Sequence, residues 1–84
     1  MYKSNHNLNL DSISDLKKFI KMINAKTRYD SQITAQNEFG EFANAKDILQ
    51  MIGIVTDDTN VTIVSTVLSD IVNFDQICKQ FQSY

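Results

Sequence analysis

Ile13, Leu16, Phe19, Ile20 and Ile23 recur at the spacing of one helix face, directly behind a run that alternates like a strand. In that run, His6-Asn7-Leu8-Asn9-Leu10, His6, Leu8 and Leu10 fall on one side. A change of hydrophobic period between neighbouring segments calls for a strand and a helix that share one core. Between them Asp11 and Ser12 offer capping oxygens, and Ser12-x-x-Asp15 has the spacing of a capping box with Asp in place of Glu. The pattern predicts a strand over 6–10 and a helix over 12–25.

Downstream, Tyr29 to Gln36 alternates with Ile33 and Ala35 on one face, and Phe39 to Ala43 can return beside it. Asn37-Glu38-Phe39-Gly40 is the turn of that hairpin, although Gly40 stands later than a two-residue turn requires. Asn44-Ala45-Lys46-Asp47 then leads into Ile48, Leu49, Met51 and Ile52, a short helix with its cap in front and Gly53 near its end. After the polar turn Thr56–Asn60, Val61 to Val67 is β-branched except at Ser65 and reads as a strand. Ile71, Phe74, Ile77, Cys78 and Phe81 form the apolar stripe of a closing helix that starts at Ser69 or Asp70. No linker or repeat interrupts the chain, so 1–84 is one domain. The element order β-α-β-β-α-β-α predicts an α+β open-faced β-sandwich: a four-stranded, mostly antiparallel sheet with three helices on one face.

Composition narrows the function. The net charge of −2 lacks the positive excess that nucleic-acid binding by the whole domain requires. Cys78 and His6 are the only residues of their kinds, which leaves no disulfide framework and no Cys/His metal site. Asp57-Asp58 is a turn, with too few oxygens nearby for a hard cation. The two glycines, Gly40 and Gly53, form no phosphate loop, and no cofactor is expected. One His and one Cys on different elements supply no nucleophile–base–orienter set, so the chain reads as a non-enzyme. No apolar run is long enough to span a bilayer and no leader opens the chain; a cytoplasmic protein is expected.

Three features point to partners. Lys17, Lys18, Lys21, Lys26 and Arg28 concentrate positive charge on and after the first helix, a solvated face or a contact for an acidic protein. The short helix is apolar nearly all round, through Ile48, Leu49, Met51, Ile52, Ile54 and Val55, so one or two of these should be exposed. Val67, Leu68, Ile71 and Val72 exceed what one helix face needs and suit either the strand–helix junction or a homodimer contact.

The stretch Gly40 through Val55, with Asn44-Ala45-Lys46-Asp47-Ile48-Leu49 and Met51-Ile52-Gly53-Ile54, resembles the second-helix region of the histidine-containing phosphocarrier (HPr) family. Leu16-Lys17-Lys18-Phe19-Ile20 resembles the body of that family's first helix, and the element order matches throughout. The resemblance implies a bacterial protein of the sugar phosphotransferase system. The family's His-x-Arg-Pro motif, however, aligns with Ser12-Ile13-Ser14-Asp15, so Ser12 stands at the phospho-acceptor position, Ser14 at the Arg and Asp15 at the Pro. Asp47 stands where some members carry a regulatory serine. As a carboxylate it is a helix cap, and a partial mimic of phosphoserine. Ile48 and Leu49 match the family's apolar docking positions, beside the first turn at Ser12. The expectation is therefore a phosphocarrier relative with a degenerate active site that regulates by docking another protein. The alternatives are a divergent phosphocarrier using His6 or Ser12, and a structural homodimer.

Overall fold

The structure, a computed structural model, describes residues 1–82. Strands β1 (Tyr2–Leu8), β2 (Gln32–Gln36), β3 (Phe42–Asn44) and β4 (Thr59–Ser65) alternate with helices α1 (Ile13–Lys26), α2 (Ile48–Ile52) and α3 (Leu68–Cys78). The sheet runs β1-β4-β2-β3, and each neighbouring pair is antiparallel. This is the expected α+β order.

Helix α1 begins where its sequence signals place it. The Ser12 hydroxyl accepts the Asp15 N–H, and Leu16, Phe19, Ile20 and Ile23 are buried. Thr27 closes the helix by donating both its N–H and its hydroxyl to the Ile23 carbonyl. These side chains meet Leu8, Ile33, Ala35, Val61 and Ile63 from the sheet and Ile71, Phe74, Ile77 and Phe81 from the closing segment. Phe19 and Phe81 pack edge to face with ring centroids 5.5 Å apart, a favourable aromatic geometry.

All four strands differ in extent from the sequence reading. β2 begins at Gln32 instead of Tyr29, because Ser31 turns the chain by bonding the Arg28 carbonyl, and β3 occupies 42–44 instead of 39–43, because the Asn37 turn takes up residues 37–41. β1 occupies 2–8 instead of 6–10, because backbone pairing with β4 continues from Leu8↔Thr59 back to Tyr2↔Ser65 through polar residues that carry no hydrophobic signal. Leu10 is buried from the loop, where its N–H bonds the Thr56 carbonyl. β4 occupies 59–65 instead of 61–67. Thr59 enters the strand because its hydroxyl accepts the Thr56 N–H and donates to the Thr56 carbonyl, ordering the turn before it. Val67 leaves the strand to cap α3, which starts at Leu68.

The hairpin turn is built by Asn37. Its side-chain oxygen Oδ1 accepts the Phe39 and Glu41 N–H groups, and its side-chain Nδ2 donates to the Glu41 carboxylate and the Ile54 carbonyl. Gly40 takes φ +82°, a left-handed conformation that favours glycine. The turn is therefore longer than a two-residue connection and sets the strands at 32–36 and 42–44.

Candidate functional site

The first turn of α1 exposes Ser12, Ser14 and Asp15. The Ser12 hydroxyl is engaged by the Asp15 N–H at 3.4 Å, the ordinary geometry of an N-cap. Asp11 and Asp15 bring two carboxylates to the same helix end. His6 lies elsewhere. It projects from β1 toward α3, half-buried, with Nε2 2.7 Å from Asp75 Oδ1 and its ring tilted against Phe74. The candidate residues Ser12 and His6 are thus not brought together.

The structure does assemble a Ser, a His and an Asp that the sequence did not connect. Ser4 and His6 both meet Asp75: Ser4 Oγ donates to Asp75 Oδ1 and lies 3.3 Å from His6 Nε2. A relay needs the carboxylate and the hydroxyl on opposite imidazole nitrogens. Here both sit at Nε2, so the cluster ties the edge strand β1 to α3. Burial alone would raise the Asp75 carboxyl. The hydrogen bonds from Ser4 and His6, with the positive charge of His6 and Lys79, outweigh it and hold the group below the usual carboxylate range. A carboxyl depressed on folding stabilises the fold above its unfolded pKa and loses that contribution as pH falls through the folded value. Asp75→Asn is accordingly expected to flatten the acid limb of a denaturation series below about pH 4 while leaving the neutral limb parallel to wild type. Chemical denaturation followed by circular dichroism at several pH values measures this; an unchanged acid limb would remove Asp75 from the account.

A second cluster was also invisible in sequence. Lys46 Nζ donates to the carbonyls of Arg28, Tyr29 and Ser31 at 3.0, 3.1 and 2.6 Å, pinning the loop after α1 to the approach of α2. Desolvation lowers its pKa, opposed by Asp30 and Asp70. Asp70 is buried and accepts from Ser65 Oγ at 2.8 Å and from the Arg28 N–H at 3.2 Å. The buried Cys78 thiol is pushed up to about 12 by desolvation and by Asp75, which leaves it inert as a nucleophile.

The surface over α1 and α2 carries the exposed apolar side chains. Asp47 caps α2, accepting the Leu49 and Gln50 N–H groups on Oδ1 and the Gln50 side-chain amide on Oδ2. Met51 is buried beneath the helix, whereas Leu49 is 81% exposed and Ile52 about half exposed. Ile48 packs partly against the core. On α1, Ile13, Lys17, Ile20 and Asn24 share one stripe by helical spacing. The Asn24 amide reaches the Lys46 carbonyl ahead of α2, and Leu10 bonds Thr56 beyond it. Helix α2 therefore runs back along α1, with Ile52 at the end nearer Ile13, itself half exposed. Ile13 and Lys17 on α1 and Leu49 and Ile52 on α2 are thus exposed side chains of the helical layer, with Lys17 one turn on from the carboxylates Asp11 and Asp15. By contrast, Lys18 lies more than 90° around the helix from this stripe. Near α3, Leu68 and Val72 are exposed and Ile71 is buried, so the surplus noted there divides between surface and junction.

No family model matches the chain, and no curated protein matches it in sequence. Among solved structures it is similar to the crystal structure of a phosphocarrier protein HPr from Bacillus anthracis str. Ames. The TM-score is 0.67 at 15% identity, over 96% of each chain. The fold is HPr-like. No helix among the described residues is long and apolar enough to cross a membrane.

Proposed function

We propose that this chain is a non-catalytic, cytoplasmic relative of the bacterial phosphocarriers that acts by docking another protein of the sugar phosphotransferase or carbon-control system. The observation that carries the reading is the exposure of Ile13, Leu49 and Ile52 on α1 and α2, together with an α1 N-terminus that presents a serine cap. A phosphoryl carrier of the histidine type needs at that point a nucleophilic nitrogen and a cation for the incoming charge. Ser12 instead offers a hydroxyl committed to capping, and Asp11 and Asp15 repel an anionic group. Docking through this surface occludes or allosterically controls the partner. Asp47 serves there as a permanent charge at the head of α2, fixed where a phosphorylatable serine would be switchable.

The test mixes the protein with phosphoenolpyruvate, the general phosphotransferase enzyme of the same organism and an ordinary HPr, and follows intact masses over time. The chain is expected to acquire no phosphoryl group and to slow the labelling of HPr in proportion to its concentration. An acid-labile adduct lost on His6→Ala, or an acid-stable one lost on Ser12→Ala, would restore a carrier. Unlabelled protein that leaves HPr labelling unchanged would exclude that enzyme as the docking partner.

A further inference from the structure

The helix-free face of the sheet is unusual in chemistry. More than half of its outward strand side chains are Asn or Gln, and among the described strand residues Lys3 is the one charged side chain on this face. The face divides in two. Over β1 and β4 the amides satisfy one another: Asn5 donates to Asn60 and Thr62, and Asn60 donates to Asn5 and Asn7, at 2.5–2.9 Å. Over β2, Gln32, Thr34 and Gln36 make no side-chain hydrogen bond to the described residues. Beside them Phe42 is 66% exposed, and Tyr29, 94% exposed, stands at the far side. A trough of about 450 Å³ runs between these rings over Gln32 and Thr34, and a second of about 240 Å³ continues across Phe42 to Gln36 and Asn60. The larger lies within the range of about 300–1,000 Å³ typical of small-molecule sites.

We propose that this face binds a neutral oligosaccharide, an extended chain of pyranose rings laid across Phe42 and the β2 amides. A side-chain amide presents donors and an acceptor in one plane, matching adjacent hydroxyls that each donate and accept. The C–H face of a pyranose ring packs on an exposed aromatic ring. Other occupants fit less well. A nucleic acid requires positive charge along its path, and the Lys46 ammonium is already spent on three backbone carbonyls. A peptide adding as a strand at β3 meets a blocked edge, because the Asn44 N–H is held by Gln50 Oε1. The open, flat trough favours an extended chain and weak affinity, with Kd on the order of 1 mM.

Titration of 15N-labelled protein with cellohexaose, followed by NMR, tests the site. Saturable shifts of the Gln32 and Gln36 side-chain amides and of the Phe42 backbone amide are expected, unchanged between low and high salt. Phe42→Ala, exposed and therefore tolerated by the fold, is expected to weaken binding at least tenfold; Phe39→Ala, at the hairpin tip outside both troughs, is the control. Absence of shifts with cellohexaose, and with chitohexaose as a second neutral chain, overturns the proposal. So do shifts confined to α1 and α2, binding unaffected by Phe42→Ala, or selective shifts on the same residues by a proline-rich peptide. The larger trough reaches Lys46 and Gln50 at the head of α2, but the docking residues Ile13, Lys17, Leu49 and Ile52 line neither trough, so either reading can fail alone.

Discussion

Asp70→Ala is expected to cost about 2–4 kcal/mol of folding stability, with a fall in Tm on the order of 10–20 °C. The carboxylate is buried and holds three chain segments at once: Ser65 at the end of β4, the Arg28 N–H beyond α1, and the first turn of α3 where it resides. Removing it leaves the Ser65 hydroxyl without its acceptor and the Arg28 N–H without a partner. It also removes the one acidic residue in the first turn of a helix whose N-cap, Val67, has no side-chain bond to offer. A domain of this size has about 4–12 kcal/mol in total, so a large fraction of the molecules would approach the unfolding transition at moderate temperature. Asp70→Asn keeps an oxygen for Arg28 and is expected to lose less. Urea denaturation of the three proteins measures the differences. An Ala variant within about 0.5 kcal/mol of wild type would show that water replaces both bonds and that Asp70 is no hub.

That hub shows which parts of the structure a sequence reading reaches. The α1 stripe, the α2 cap at Asp47 and the α3 stripe are local patterns, set by residues two to four apart, and they appear where their spacing puts them. The ends of β1 and β4 depend on pairing between positions more than fifty apart in the chain, which no local pattern carries. The Ser4–His6–Asp75 and Lys46–Asp70 clusters join positions far apart in the chain with no periodic signal. Each became legible only once the topology was known. The candidate docking residues fall between these cases. An all-round apolar helix announced that some side chain must be exposed, but not which. Leu49 and Ile52 prove to be outward, and Ile48, paired with Leu49 in the sequence reading, rests partly on the core.

The distinction between Ile48 and its neighbours decides how docking should be tested. Leu49→Asp combined with Ile52→Asp is expected to lower affinity for the docking partner by about 2 kcal/mol or more, roughly thirtyfold, and to relieve the slowing of HPr labelling. The folded state should lose little at Leu49, which is 81% exposed, and about 1 kcal/mol at Ile52, which is half exposed at the C-terminal end of α2 where a carboxylate is disfavoured. Ile48→Asp would confuse the result: a carboxylate placed against the core carries its own desolvation cost, so loss of binding could follow from loss of folding. Lys17→Glu supplies the electrostatic counterpart. Its side chain is exposed on the α1 stripe, so reversal should weaken an acidic partner and make the residual binding less sensitive to salt. If the double variant binds and inhibits as wild type does while Lys17→Glu fails, contact is confined to α1 and the short helix is only packing. If both behave as wild type, the partner surface lies off these residues of α1 and α2 altogether.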